Sequence, residues 1–296
     1  MNSSLKNLIY PSYNKNNDYI ELDLYISSHC NYRCSYCFVH DYSIKFNEYN
    51  FNKQIEFLAA QKYKIKCDIL GGEPSIIKNL CKYVNEYSKY CEKISVFSNG
   101  SNTRELNDIP CDLIITPHFE YYNKTYESKL LELLKYRDIN KLKTFLNIVV
   151  NKSNYEKMVP IVNVFRDFAN VAITADINES RDEVNDLSYF RKFNLEPQES
   201  YYDDLMLNEK KLSFEDLDKL FFSRGLRCKM WICYLNYFQI QANGDVLDQC
   251  YGKFYGNIYN SNVILTPIKH ICRKNNCSEC TIVCPKIIPA SLIKTL

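Results

Sequence analysis

The sequence predicts a mixed α/β chain: a partial barrel of six βα units followed by a small cysteine-rich α+β domain. Three observations carry that expectation. Between residues 20 and 177, short strand-like runs take turns with longer segments of helical periodicity. After about residue 178 the alternation stops and the chain turns polar. From residue 227 onward, cysteines, aromatics and turn signals dominate. The division that follows is an N-terminal segment 1–19, a barrel 20–190, a bridging region 191–226 and a cysteine-rich domain 227–296.

The first strand is announced by Ile20, Leu22, Leu24 and Ile26, which alternate with polar residues at the period of a pleated chain. Further strands are expected at 67–70, 94–98, 112–116, 145–150 and 171–177. Helices are expected between them at 51–62, 76–91, 126–137 and 154–168, with at most a turn of helix within 101–109. Strands separated by helices pair in parallel with the helices outside, and right-handed crossovers curl such a sheet. Ligands then gather at the carboxyl ends of the strands. Later in the chain a helix is expected around 213–223. There, too, QIQA and DVLDQ flank Asn243-Gly244 as arms of a β-hairpin.

Composition excludes several classes of function. With 46% hydrophobic and 24% charged residues the chain can bury a sizeable core. Its net charge of +2 is interspersed, which gives no electrostatic case for nucleic acid or an anionic membrane as partner. No apolar run is long enough to span a bilayer, and the opening residues lack the apolar segment of a secretory signal. A soluble cytoplasmic protein is expected. The anomaly is cysteine: fourteen in the chain, three of them within eight residues and seven between Cys228 and Cys284. Without an export signal, clustered cysteines point to metal ligation rather than disulfides. The scattered Cys67, Cys81, Cys91 and Cys111 fit buried packing.

Cys30, Cys34 and Cys37 follow the first strand directly. Three thiolates at this spacing can hold three irons of a cubane cluster and leave the fourth iron open to a small molecule. A zinc knuckle lacking one ligand is the plainer alternative. Gly71-Gly72-Glu73-Pro74 stands at the end of the second strand, where two glycines permit close approach of a ligand and Glu73 offers an acceptor for an ammonium group. Ser98-Asn99-Gly100 closes the third strand.

The CxxxCxxC spacing with an aromatic before the last cysteine, the GGEP turn and the SNG turn, in this order, resemble the radical S-adenosylmethionine superfamily, whose fold is a partial (β/α)6 TIM-like barrel. The resemblance implies a [4Fe–4S] cluster on Cys30, Cys34 and Cys37 that chelates and reductively cleaves S-adenosylmethionine. It implies cofactor contacts at Tyr36, Gly71, Gly72, Glu73, Pro74, Ser98 and Asn99. Thr116, Asn147 and His118 are further candidates at strand ends, His118 for catalysis; His29 beside the cluster loop is another.

The later cysteines, with YGNIY after Cys250, resemble the SPASM and twitch auxiliary-cluster domains, although the spacing departs from the full seven-cysteine pattern. That resemblance implies an auxiliary [4Fe–4S] cluster on Cys233, Cys250, Cys277 and Cys280, with Cys228, Cys272 and Cys284 exchanging into the set or holding a second cluster. A zinc-ribbon-like staple is the alternative. The expected activity is hydrogen abstraction by a 5′-deoxyadenosyl radical from a ribosomal peptide or, second, a sugar or other small molecule. A non-enzymatic iron–sulfur electron carrier is the contrasting class. An electron donor such as flavodoxin or ferredoxin is implied. With about 19 residues before the first strand, a peptide substrate would call for a separate leader-peptide-recognition protein or for direct docking between the two domains.

Overall fold

The structure, a computed structural model, describes residues 19–37, 39, 41–150, 154–165, 167–175, 231–248, 252–272 and 288–289. Six parallel strands run β1 (Tyr19–Tyr25), β2 (Lys64–Leu70), β3 (Lys93–Ser98), β4 (Asp112–Ile115), β5 (Thr144–Val150) and β6 (Asn170–Ala175). Each pairs with the next in sequence order. The connecting helices are α1 (Glu48–Ala60), α2 (Leu80–Ser88), the single turn α3 (Thr103–Leu106), α4 (Lys124–Ile139) and α5 (Tyr155–Phe165). The expected βα alternation is therefore present.

Strand parity decides where the core lies. Ile20, Leu22 and Leu24 of β1 and Ile65, Cys67 and Ile69 of β2 are buried, and they form one cluster with Leu58, Leu80, Val84, Leu130 and Leu134 of the helices. The intervening residues Glu21, Asp23 and Tyr25 therefore occupy the opposite, inner face. Cys81, Cys91 and Cys111 pack partly buried against the same core, as their scatter suggested. Local chemistry sets the helix starts. Asn47 and Asn123 cap α1 and α4 by accepting from the backbone N–H groups of Asn50 and Tyr126. α2 begins later than its periodicity suggests. Pro74–Ile76 forms a 3-10 turn first, and Asn79 adopts the left-handed conformation (φ 59°) before the helix can start.

Arg137 is fully buried on α4. Its guanidinium donates to the carbonyls of Leu106, Asn107, Ile109, Cys111 and Lys143, and to Thr144 Oγ1 at 2.7 Å. It thereby satisfies the backbone of the irregular α3–β4 connection, which would otherwise leave buried acceptors unpaired.

The hairpin around Asn243-Gly244 forms as β8 (Tyr237–Ile240) and β9 (Asp245–Asp248). Gly244 sits at φ 88°, and a Cβ there would come within 2.5 Å of the Tyr259 ring. The hairpin belongs to the barrel's own sheet. β8 pairs in parallel with β1, and β10 (Phe254–Asn257) adds beyond β9, so the order is β10-β9-β8-β1-β2-β3-β4-β5-β6. A second sheet of β11 (Ile268–Cys272), β7 (Trp231–Leu235) and β12 (Ile288–Pro289) is antiparallel. The helix expected at 213–223 lies outside the described residues. Among those described, no helix is long and apolar enough to cross a membrane.

Candidate active site at the carboxyl ends of the strands

The loop that carries Cys30, Cys34 and Cys37 leaves β1 and continues its pairing with the end of β2. Gly72 N–H donates to Ser27 O (3.0 Å) and Glu73 N–H to His29 O (2.9 Å). This close approach explains both glycines of the GGEP turn. A Cβ on Gly72 would lie 2.3 Å from the carbonyl oxygens of Ser28 and His29, and one on Gly71 would lie 2.8 Å from Ser27 O. The sequence suggested that a ligand needs this room; in the structure the cysteine loop itself takes it.

Glu73 is also more structural than its sequence position suggests. Its carboxylate is 1% exposed and accepts from Ser75 N–H (2.8 Å), the Ser98 hydroxyl (2.6 Å) and Asn99 N–H (2.6 Å). Burial pushes its pKa up, and these donors pull against that. The group clasps the GGEP turn to the SNG turn, and the expected ammonium acceptor is turned inward onto protein donors. Pro74 opens the 3-10 turn that follows. Asn99 in turn donates through its side chain to Asn31 of the cysteine loop (3.1 Å), while Asn31 donates to Ser101 (2.9 Å). Gly100 has φ 70°, and a Cβ there would be 2.9 Å from the Tyr126 hydroxyl, which donates to Asn99 O. Cysteine loop, GGEP turn and SNG turn thus form one hydrogen-bonded body.

The end of β4 closes the other side. Thr116 N–H donates to Ser98 O (2.8 Å), continuing the β3–β4 ladder. His118 Nδ1 is hydrogen-bonded to the Tyr36 hydroxyl, with the two rings 5.5 Å apart. Burial lowers the His118 pKa to about 4, against the opposing charge of Glu120. At neutral pH the ring is therefore uncharged, with one ring nitrogen carrying the proton and the other an acceptor. The two residues named separately in the sequence work as a pair. Asn147 lies half-buried on β5, in register with Ala172. His29 Nδ1 is 3.4 Å from Tyr42 O.

Glu120 and Tyr121, which the sequence did not single out, bind the cysteine loop directly. Ser35 N–H donates to the Glu120 carboxylate (3.2 and 3.3 Å) and Arg33 N–H to the Tyr121 hydroxyl (2.8 Å). The Tyr32 and Tyr121 rings stack 3.9 Å apart at 3°.

The donor set can be tested against the group it would hold. The thiols of Cys30, Cys34 and Cys37 are free and half-buried. Burial raises the Cys30 pKa and pushes Cys34 up to about 12, and each feels the charge of its neighbours. Among the described residues no three His, Cys, Asp or Glu side chains converge closely enough to hold one metal ion. A cubane cluster makes a different demand. Each thiolate takes a separate iron, so its donors stand apart around the cluster, and the cluster's charge reverses the preference for protonated thiols. Three mutually sensed but unconverged thiols fit the cluster better than a single ion.

Cys233 and Cys272 fall on paired strands, opposite His270 and Trp231 respectively. Cys228, Cys250, Cys277, Cys280 and Cys284 lie outside the described residues.

No protein-family profile matches the sequence, and no curated protein does. Solved structures do match the fold. Streptococcus suis SuiB bound to its precursor peptide SuiA superimposes with a TM-score of 0.52 at 16% identity. The match covers 82% of this chain, which spans 63% of the length of SuiB. The enzyme anSMEcpe with bound AdoMet gives a TM-score of 0.53 at 20% identity, covering 82% of this chain and 79% of its own. A further anSMEcpe structure holds AdoMet and the Kp18Cys peptide, at a TM-score of 0.53 and 19% identity. The chain shares the fold of these proteins, the partial barrel of radical S-adenosylmethionine enzymes. In that fold the six parallel strands here correspond to the partial barrel, and the antiparallel strands follow them.

Proposed function

We propose that the chain is a radical S-adenosylmethionine enzyme that abstracts hydrogen from a peptide substrate. The observation that carries this is the joining of three cysteine thiols, the GGEP turn and the SNG turn into one body at the carboxyl ends of parallel strands. Cys30, Cys34 and Cys37 would hold a [4Fe–4S] cluster, with S-adenosylmethionine against the GGEP and SNG turns and Tyr36. When bound, cluster and cofactor supply one-electron cleavage of a carbon–sulfur bond to methionine and a 5′-deoxyadenosyl radical.

The chain's own residues do the rest. Glu73 fixes the two turns relative to each other, and the Tyr36–His118 pair holds the loop's last aromatic beside the strand ends. Neutral His118 bears no charge and leaves Nε2, the ring nitrogen not bonded to Tyr36, to orient a polar substrate or cofactor group.

A peptide substrate is favoured over a small molecule because SuiB and anSMEcpe, which share the fold, are both seen with peptides. We place an auxiliary [4Fe–4S] cluster on Cys233, Cys250, Cys277 and Cys280. The strand register is compatible with Cys272 exchanging into that set, since it is two residues from His270, the partner of Cys233.

The deciding experiment is anaerobic reconstitution with iron and sulfide, then incubation with dithionite and S-adenosylmethionine. Formation of 5′-deoxyadenosine that disappears in Cys34→Ala supports the assignment; unchanged formation in that variant rejects it. About eight irons per chain would support two clusters, and about four would confine iron to the first site.

A further inference from the structure

We infer that Glu120 and Tyr121 are positioning residues that hold the reduction potential of the Cys30/Cys34/Cys37 cluster low. The inference rests on the cluster assignment above and goes beyond it. Two levers set the potential of a cubane cluster in protein: hydrogen bonds donated to its sulfurs, and the net charge around it. Donated N–H groups and positive charge favour the reduced form; their removal, or a nearby anion, favours the oxidised form.

The short loop between Cys30 and Cys37 offers its backbone N–H groups as the nearest donors. Tyr32 N–H points to Cys30 Sγ at 3.3 Å, the arrangement that favours reduction. Arg33 and Ser35 do otherwise. Their N–H groups are taken by the Tyr121 hydroxyl (2.8 Å) and the Glu120 carboxylate (3.2 and 3.3 Å). Two donors flanking Cys34 are thus withdrawn from sulfur, and a carboxylate is set against the backbone beside the same cysteine.

The loop's own cation, Arg33, keeps its charge but is directed elsewhere. The Arg33 guanidinium turns to the carbonyls of Cys30 and Tyr32, both at 2.7 Å, and lies 3.9 Å over the Tyr42 ring. Among the described residues Glu120 makes no ion pair. The stacking of Tyr32 on Tyr121 fixes the loop in this arrangement.

The chemical consequence concerns a single electron: the oxidised cluster takes one from the donor to become the reduced cluster, and both levers disfavour that gain. A low potential makes the reduced cluster a stronger donor to the cofactor and a harder one to charge.

The test is a redox titration of the reconstituted protein, without S-adenosylmethionine, following the signal of the reduced cluster by electron paramagnetic resonance. Glu120→Gln keeps the shape and an acceptor for Ser35 while removing the charge. Tyr121→Phe keeps the stacked ring while releasing Arg33 N–H. Each should move the midpoint to less negative potential. At the wild-type midpoint, the reduced-to-oxidised ratio of Glu120→Gln should rise about two- to threefold, the size expected for one partly screened charge. Glu120→Asp should restore the wild-type value, and the remote exposed Glu132→Gln should leave it unchanged. Should Glu120→Gln fail to take up iron, Tyr121→Phe reads the hydrogen-bond lever alone. Midpoints that stay at the wild-type value in the iron-loaded variants, or move more negative, overturn the inference. A wild type that gives no reduced-cluster signal at all overturns the cluster assignment instead.

Discussion

Replacing Asp23 with Asn should stabilise the fold at alkaline pH and leave it little changed in acid. Asp23 lies on the inner face of β1, 8% exposed, in register with Asp68 of β2 and Gln239 of β8. Burial raises its pKa from 3.8 to about 7. The charge of Asp68 adds to that, and the hydrogen bond from Tyr237 (2.9 Å) opposes it. The folded carboxyl therefore holds its proton more tightly than the unfolded one. Its contribution to stability is complete below the unfolded value and is lost as pH rises through about 7. With those two values, the loss between pH 5 and pH 8 is roughly 2–3 kcal/mol. An amide at this position still accepts from Tyr237 but carries no charge, so the loss should vanish. Denaturant unfolding of wild type and Asp23→Asn at both pH values gives the double difference, in which other titrating groups cancel. A gap between the two proteins that widens by less than about 1 kcal/mol from pH 5 to pH 8 would refute the assignment of a raised carboxyl.

Other outcomes follow from single positions. Gly72→Ala puts a methyl group 2.3 Å from two carbonyl oxygens of the cysteine loop, so the iron bound after reconstitution should fall by half or more relative to wild type. Arg137→Met removes its side-chain hydrogen bonds to five backbone carbonyls around the α3–β4 connection, of which those of Leu106 and Lys143 keep a backbone donor. It should cost more than about 3 kcal/mol, seen by calorimetry as a Tm lower by roughly 6 °C or more. Cys233→Ser should lower the iron content from about eight to about four per chain while 5′-deoxyadenosine is still formed; full iron in this variant would remove Cys233 from the ligand set.

Much of the barrel is legible because strand and helix periods differ and the segments are separated by turn residues. β1 begins within one residue of its alternating pattern, and β3 and β5 begin within one residue of theirs. Period alone names an element but not its neighbour. QIQA and DVLDQ announce the β8–β9 hairpin, yet the other partner of β8 is β1, more than two hundred residues earlier, and no local pattern encodes that pairing. The site shows the same division. The cysteine spacing and the glycines can be read directly. What crowds the glycines cannot, because the carbonyls of Ser28 and His29 come from another segment. Glu120 and Tyr121 act on backbone N–H groups 85 and 88 residues away, which any residue type would offer, so no motif marks their targets. The acidic and hydroxyl side chains of the FEY turn are the only trace they leave.

The insertion of β1 between β2 and β8 has a consequence for the growing chain. During synthesis β1 can pair with β2 early, but its other edge must wait for residues 237–240 to appear. At typical elongation rates that interval is on the order of 10–40 s. Throughout it, the strand from which the cysteine loop springs presents a row of unpaired backbone groups, the template on which a foreign strand adds. Glu21 and Asp23 stand along that strand, and charged side chains on an exposed edge strand disfavour such addition. The Asp23 carboxylate, whose ionisation is disfavoured in the finished fold, thus suits the unfinished one.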